Sequence, residues 1–282
     1  MKKMIITMSL LLTLLATRGQ IVNVESIERL NVPTDESKTA QAVAISPRGD
    51  YLLLSTDNKQ GLVKWDIATA HATVLTTEPV TGSDVNISQD GQEITYEEVS
   101  YQDRRRHQAV KSINLVTGER KTLVPDKRLA LPGDALDAQR SVLTHHHLKL
   151  YITRNGKTRQ LAPIGEDERY IWPSLSPDGT KVLYYVGGWG AGVCDLDGNN
   201  VISLGDITAP MWWDDNTIVG MIEVDNEYTV IASSIVMRTL DGTEQTLTGD
   251  DVIATYPLPC RQDGKIAFST PAGEIYVIAV SD

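Results

Sequence analysis

Short apolar runs separated by polar turns recur along most of the chain. The clearest case is WPSLSPDGTKVLYY at 172–185, where an apolar segment stops at SPDG and resumes at once. Pro177 presets φ at the first corner of a turn, Asp178 can accept a bond from its own backbone, and Gly179 suits a positive φ. The pattern predicts two strands joined as a β-hairpin.

The same turn recurs at nearly regular intervals. Equivalent phrases lie at 46–50, 88–92 and 261–265, with weaker ones at 137–139 and 214–216. A leucine that closes a polar strand recurs independently, at residues 30, 75, 123, 161, 204 and 247. Successive leucines lie 38 to 48 residues apart, an interval that fits four short strands, the size of one propeller blade.

These repeats predict an all-β fold: a six-bladed β-propeller of four-stranded antiparallel blades, closed by an N-terminal strand that completes the last blade. The sixth unit ends with EIYVIAV at 274–280 and lacks a fourth strand, whereas VESIERLNV at 24–32 has the leucine of a closing strand. Joining the two ends would leave no open sheet edge. The third unit is the least regular, because its first strand, LALPGDALD at 129–137, contains Pro132 and Gly133.

Three segments carry a family resemblance: AISPRGDYLLLS, SLSPDGTKVLYYVGGWGAGVCDLDG and CRQDGKIAFSTPAGEIYVIAV. They resemble the WD40-like (PD40) repeats of exported bacterial propellers, the kind found in the C-terminal part of the translocation protein TolB. The resemblance spans nearly all of residues 21–282 and implies a TolB-like propeller fold. The resemblance does not include the separate N-terminal α/β domain of TolB, so it implies nothing about the role of that domain.

The first 19 residues read as a signal peptide, with Lys2 and Lys3 ahead of the apolar run 4–16. This run is too short to span a bilayer, cleavage is expected after Gly19, with cleavage after Ala16 as the alternative, and no cysteine for lipid attachment follows the run. Residues 20–282 are then a single propeller domain, periplasmic or secreted and not inserted in a membrane. Removing three basic residues changes the formal charge from −11 to −14, which disfavours nucleic acid as a partner.

The connections between second and third strands, and between blades, are longer and more varied than the tight PDG turns of the opposite face, which favours the long-loop face for binding. Candidate binding residues on it are Arg104, Arg105, Arg106, His107, Tyr170, Trp172, Trp189, Trp212, Tyr228 and Tyr256. Aromatic and arginine side chains of this kind are enriched in recognition sites. The alternatives stay open: Trp172 and Trp212 could pack between blades, and the arginines could form a solvated hairpin tip. Trp65 and Trp213 are expected in the core.

Little in the sequence indicates catalysis. His145 and His147 alternate on a strand and could share a metal ion, but no third ligand has a telling spacing. The tract around Trp189 and the Asp195–Asn199 phrase are predicted as hairpin turns rather than a phosphate or calcium loop. Cys194 and Cys260 fall in blades that are not neighbours, so buried thiols are favoured over a disulfide. No cofactor is indicated.

The function expected is therefore a non-catalytic binding scaffold that recognises a protein, peptide or envelope glycan, possibly within a cell-envelope assembly, as a monomer. Two alternatives remain. One is a metal-dependent propeller lyase or hydrolase acting on a saccharide at His145 and His147. The other is a permanent structural subunit of an envelope assembly, which would use the same surface.

Overall fold

The computed structural model describes residues 19–32, 40–56, 58–82, 85–102, 104–124, 142–154, 157–226 and 228–282. The predicted signal peptide, residues 1–19, lies outside the described residues except for Gly19. The described residues form strands β1 (Asn23–Arg29), β2 (Ala40–Ile45), β3 (Tyr51–Thr56), β4 (Leu62–Asp66), β5 (His71–Thr76), β6 (Val85–Ile87), β7 (Glu93–Gln102), β8 (Arg105–Asn114), β9 (Arg120–Val124), β10 (Val142–His146), β11 (Lys149–Arg154), β12 (Lys157–Leu161), β13 (Tyr170–Leu175), β14 (Lys181–Val186), β15 (Gly190–Asp195), β16 (Ile202–Gly205), β17 (Thr208–Asp214), β18 (Thr217–Asp225), β19 (Val230–Thr239), β20 (Glu244–Thr246), β21 (Thr255–Cys260), β22 (Lys265–Ser269) and β23 (Ile275–Ser281). A 3-10 turn, Arg261–Asp263, precedes β22.

The strands form antiparallel sheets in a propeller arrangement. In chain order they are sheet 1 (β2–β5), sheet 2 (β6–β9), sheet 3 (β10–β12), sheet 4 (β13–β16), sheet 5 (β17–β20) and sheet 6 (β21–β23 with β1). Five sheets therefore have four strands, not the six predicted, because sheet 3 has three strands within the described residues. The segment 129–137, predicted as its first strand, lies outside them.

The predicted closure of the chain on itself is confirmed. Strand β1 pairs antiparallel with β23, from Asn23 opposite Ser281 to Arg29 opposite Tyr276. The backbone N–H of Leu30 continues the ladder to the carbonyl of Ile275. Sheet 6 thus takes its outer strand from the start of the chain.

Apolar side chains pack between successive sheets rather than in one central core. Leu150 and Ile152 of sheet 3 meet Val182 of sheet 4, for example, in one of the buried clusters. Similar clusters join sheets 4 and 5, 5 and 6, 6 and 1, and 1 and 2. Within the described residues, sheets 1, 4, 5 and 6 are therefore covered on both faces by neighbouring sheets, as blades of a propeller are.

Several sequence expectations about buried residues are confirmed. Trp65 and Trp213 are buried, at 2% and 6% exposure. Cys194 and Cys260 are buried free thiols, so the disulfide alternative is wrong. In the part of the chain that the structure describes, no helix is long and apolar enough to cross a membrane.

Candidate functional site

The first strands of sheets 4, 5 and 6 share an unusual backbone feature. Trp172, Ala209 and Tyr256 have φ of 51°, 46° and 52°, and each precedes a proline. In each strand the pairing register shifts at this place. A left-handed conformation costs an L-residue about 1–2 kcal/mol, so the same local strain occurs three times. Repeated strain of this kind is typical of sites where backbone geometry positions a ligand contact.

These three residues line one cavity of about 310 Å³ between the first strands of sheets 1, 4, 5 and 6, which we call the mouth. Its lining also includes Met211, Pro173, Pro210, Pro257 and the segment Gln41–Val43. The positive-φ residues lie near the start of each inner strand, at the end of the sheets opposite the PDG turns. The mouth is therefore on the predicted long-loop face.

The mouth has large, partly exposed apolar side chains. Trp172, Met211 and Tyr256 are exposed by 40%, 40% and 43%, while Ala209, between them in ring order, is buried. Trp172 is held on one side by Tyr185, with ring centroids 5.3 Å apart at 59°. Aromatic rings fixed in this way offer contact area at small conformational cost.

A few polar groups border this apolar surface. The ammonium of Lys59 donates to the side-chain carbonyl of Gln41, and both residues line the mouth. Behind Trp172, burial raises the pKa of Tyr185, and the nearby carboxylates of Glu223 and Asp206 raise it further. The phenol of Tyr185 is therefore neutral at physiological pH. The arrangement can bind an apolar or amphipathic group and orient it through an amide and an ammonium.

The structure brings only Trp172 and Tyr256 of the predicted binding residues together at the mouth. Trp212 is partly buried, and its indole N–H donates to the carbonyl of Ser174 at 3.4 Å, which joins sheets 5 and 4. Tyr170 has no exposed surface. Its hydroxyl donates to the carbonyl of Gly165 at 2.9 Å, so its placement is that of a packing residue rather than a contact residue.

The remaining predicted residues lie on hairpins away from the mouth. Arg104, Arg105 and Arg106 are exposed where β7 turns into β8, with His107 next to them. Tyr228, at the β18–β19 turn, is 89% exposed. Trp189 is partly buried and stacks on Tyr184, with centroids 5.9 Å apart.

The predicted metal pair is only partly visible. His147 is exposed in the turn after β10 with φ of 49°, and the backbone of His145 pairs with Leu150. The side chain of His145 lies outside the described residues. Among the side chains that the structure does describe, no group of three or more His, Cys, Asp or Glu residues could hold a metal ion.

Sequence reasoning missed Ala209, Gln41 and Lys59 as members of the site. A signal for Ala209 was present, because Trp172-Pro173, Ala209-Pro210 and Tyr256-Pro257 repeat near the start of the first strand of three successive units. Gln41 and Lys59 are neither aromatic nor part of the Pro pattern. Only the assembled ring places them beside Trp172.

Comparison with known proteins shows the fold. No protein-family model matches the chain, so membership of the PD40 family is not established, and no curated protein matches at a significant level. A protein assigned as a TolB from Agrobacterium tumefaciens is similar in structure, with a TM-score of 0.57 and 16% identity over 92% of this chain and 98% of that one. An oligogalacturonate lyase in complex with manganese has a TM-score of 0.51 and 15% identity over 84% of this chain and 76% of that one. A TolB-like β-propeller fold follows, without a specific function.

Proposed function

We propose that the protein is a non-catalytic binding scaffold that holds a protein, peptide or envelope glycan at the mouth. The observation that carries this proposal is the convergence of Trp172, Met211 and Tyr256 on one cavity between the inner strands of four sheets. Pockets with mostly apolar walls and a few placed polar groups are the usual form of binding sites.

The repeated strain at Trp172, Ala209 and Tyr256 supports the same proposal. Each φ near 50° turns the strand at the residue that lines the cavity. A strand with regular geometry would avoid this cost, so the bulges are features that the surrounding sheets maintain. Their result is a set of rigid contact groups, which reduces the entropy lost on binding.

The setting proposed for this scaffold is the periplasm or the outside of the cell, after removal of residues 1–19. The basic and apolar N-terminal sequence and the similarity to a TolB fold support this setting. We also propose that sheet 3 is a sixth blade and that residues 129–137 contribute its first strand, because the 38 residues from Leu123 to Leu161, although the shortest of the intervals, are enough for four short strands.

Capture from a cell-envelope extract tests the function. The wild-type protein is immobilised beside Trp172→Ala, Tyr256→Ala and a control, Val116→Ala, which shortens a 72% exposed apolar side chain at the β8–β9 turn of the opposite face. We expect a component that the wild type and Val116→Ala retain and that both mouth variants lose, at equal stability of all four proteins. Equal capture by the mouth variants and the wild type contradicts the proposal.

A metal-dependent saccharide lyase is the second candidate, because a lyase that carries manganese shares the fold. Elemental analysis of untagged protein purified without chelator separates the two. One transition metal per chain that is lost in His147→Ala favours the enzyme. A protein without stoichiometric metal leaves the scaffold as the better account.

A further inference from the structure

Two hairpins extend beyond the sheets that carry them. Strands β7, β8 and β19 have ten residues and β18 has nine, whereas the middle strands of the other sheets have five to seven. Within the described residues of sheet 2, backbone bonds to the outer segments end at Val99, whose N–H donates to the carbonyl of Pro79, and at Val110. In sheet 5 they end at Met221 and at Ser233, whose carbonyl accepts from the N–H of Ala254. In the part of the chain that the structure describes, both hairpins therefore end as two-stranded ribbons.

The ribbon of sheet 2, which we call the basic arm, consists of Ser100–Gln102 and Arg104–His107. Tyr101, 70% exposed, lies directly opposite Arg106, and Gln102 lies opposite Arg105. Opposite residues share a side of the ribbon, so the arm presents a tyrosine beside one arginine and a second arginine on its other side. In a chain of net charge −11 this is an unusual concentration of positive charge.

The ribbon of sheet 5, which we call the acidic arm, consists of Glu223–Asn226 and Tyr228–Ala232. Glu223 and Asp225 are two residues apart on β18 and therefore share a side. Val224, Tyr228 and Ile231 are exposed by 55%, 89% and 52%. An exposed ribbon with apolar side chains and unpaired edges tends to associate with another chain.

The two arms occupy matching places in the ring. Both connect the second and third strands of their sheets, so both rise from the face that carries the mouth. Buried clusters place sheets 1 and 6 between sheet 2 and sheet 5. With sheets 3 and 4 on the other side, as the chain order of the units gives them, two sheets separate sheet 2 from sheet 5 in either direction. The arms are therefore on opposite sides of the mouth.

We propose that two copies of this chain associate face to face, with the basic arm of each copy against the acidic arm of the other. A two-fold axis parallel to the ring plane and perpendicular to the line between the arms brings both pairs together at once. Such an interface is closed, because each copy offers the same two surfaces and none is left for a third. Tyrosine and arginine are the residue types that dominate binding energy in interfaces.

This dimer differs from the monomer expected from the sequence, and it does not depend on the proposed function. Its contacts are arm residues, whereas ligand capture is assigned to Trp172, Met211 and Tyr256. Because both surfaces lie on one face, dimer formation would cover the mouth, and ligand and second copy would compete.

Sedimentation velocity on the full chain tests the proposal. At protein concentrations on the order of 100 μM, above the micromolar range in which modest interfaces associate, we expect the wild type to sediment as a dimer. Arg105→Glu with Arg106→Glu should sediment as a monomer, and so should Glu223→Lys with Asp225→Lys. Lys157→Glu, a charge reversal at the exposed start of β12 on the opposite face, is the control and should remain dimeric.

Mixing the two double variants gives the decisive result. In a mixed dimer the reversed basic arm meets the reversed acidic arm, and the two unchanged arms meet each other, so both pairs are complementary again. We expect an equimolar mixture to form a dimer although each variant alone does not. A monomeric wild type, double variants that remain dimeric, or a mixture that stays monomeric would each overturn the proposal.

Discussion

Trp189 shows how a single glycine decides the position of a large side chain. The indole folds back from the β14–β15 turn onto Tyr184, and it can do so because Gly192 opposite Tyr184 has no side chain. A Cβ on Gly192 would lie 2.5 Å from Cζ3 of Trp189 and 2.9 Å from Cε2 of Tyr184. The glycine and the tryptophan therefore act as one packing unit, which explains why Trp189 is less exposed than its glycine neighbours suggest.

Gly192→Ala should displace Trp189 from this stack. Overpacking of a filled site costs about 1–3 kcal/mol, so we expect the free energy of unfolding in urea to fall by that amount and acrylamide quenching of tryptophan fluorescence to increase. Gly187→Ala is the matched control, since a Cβ there would meet nothing within 4 Å. Unchanged quenching and stability in Gly192→Ala would show that Trp189 does not depend on this glycine.

At the scale of elements, the SPDG turn between β13 and β14 has the predicted structure. The N–H of Gly179 donates to the carbonyl of Ser176 at 2.8 Å, and Gly179 has φ of 69°. Asp178 accepts from the hydroxyl of Ser176 at 2.5 Å and from the N–H of Thr180 at 2.9 Å. These bonds lower the pKa of Asp178 to about 2, the bond from Ser176 being the largest cause.

The lowered pKa of Asp178 predicts an acid limb in the stability profile. Because the folded pKa lies below the ordinary value of 3.8, the unfolded chain binds the proton first as pH falls, and stability is lost between about pH 4 and pH 2. Asp178→Ala should therefore be less stable at pH 7 and lose less on acidification through this range. Urea unfolding at several pH values measures both effects, with the exposed Asp250→Ala as control. An acid limb of equal size in Asp178→Ala and wild type would contradict the assignment.

These turns could be predicted from the sequence because their chemistry is local. Ser176, Asp178 and Gly179 bond to one another, so four adjacent letters determine the conformation. The repeat then gives the blades, since each turn marks the same place in a unit. The mouth could not be predicted in this way. Trp172 and Tyr256 carry a recognisable pattern, but Lys59 and Gln41 join them only when the first strands of four sheets meet.

At the scale of the whole molecule, side-chain bonds between successive sheets add to the apolar clusters. The hydroxyl of Tyr51 in sheet 1 donates to the carbonyl of Gly91 in sheet 2 at 2.9 Å. The guanidinium of Arg261 in sheet 6 pairs with Asp214 in sheet 5, and Asp215 of sheet 5 accepts from the N–H of Asp178 in sheet 4. Sheets 1 and 2, 4 and 5, and 5 and 6 are thereby bonded to each other, so stability should be shared between neighbouring sheets rather than stored in single blades.

The N-terminal strand tests whether this sharing includes the closure. Gln245 of sheet 5 accepts from the N–H of Ile21 and of Val22, at 2.6 Å and 2.9 Å, and donates to the carbonyl of Val22 at 2.8 Å. Val22 itself is buried between sheets 5 and 6. One side chain therefore fixes the chain at the point where it enters sheet 6.

Gln245→Ala removes all three bonds and leaves two amide N–H groups and a carbonyl to find other partners. At about 0.5–1.5 kcal/mol for each bond, we expect a loss on the order of 2 kcal/mol in the free energy of unfolding, with faster hydrogen exchange at the amides of β1 and of its partner β23. Gln160→Ala, an exposed glutamine of β12, is the control. If hydrogen exchange became faster in β1 while global stability and exchange in β23 stayed unchanged, β1 would not contribute to the stability of the ring. A joint loss would mean that closure by the two chain ends stabilises the ring as a whole, because without β1 the edge of β23 is left exposed.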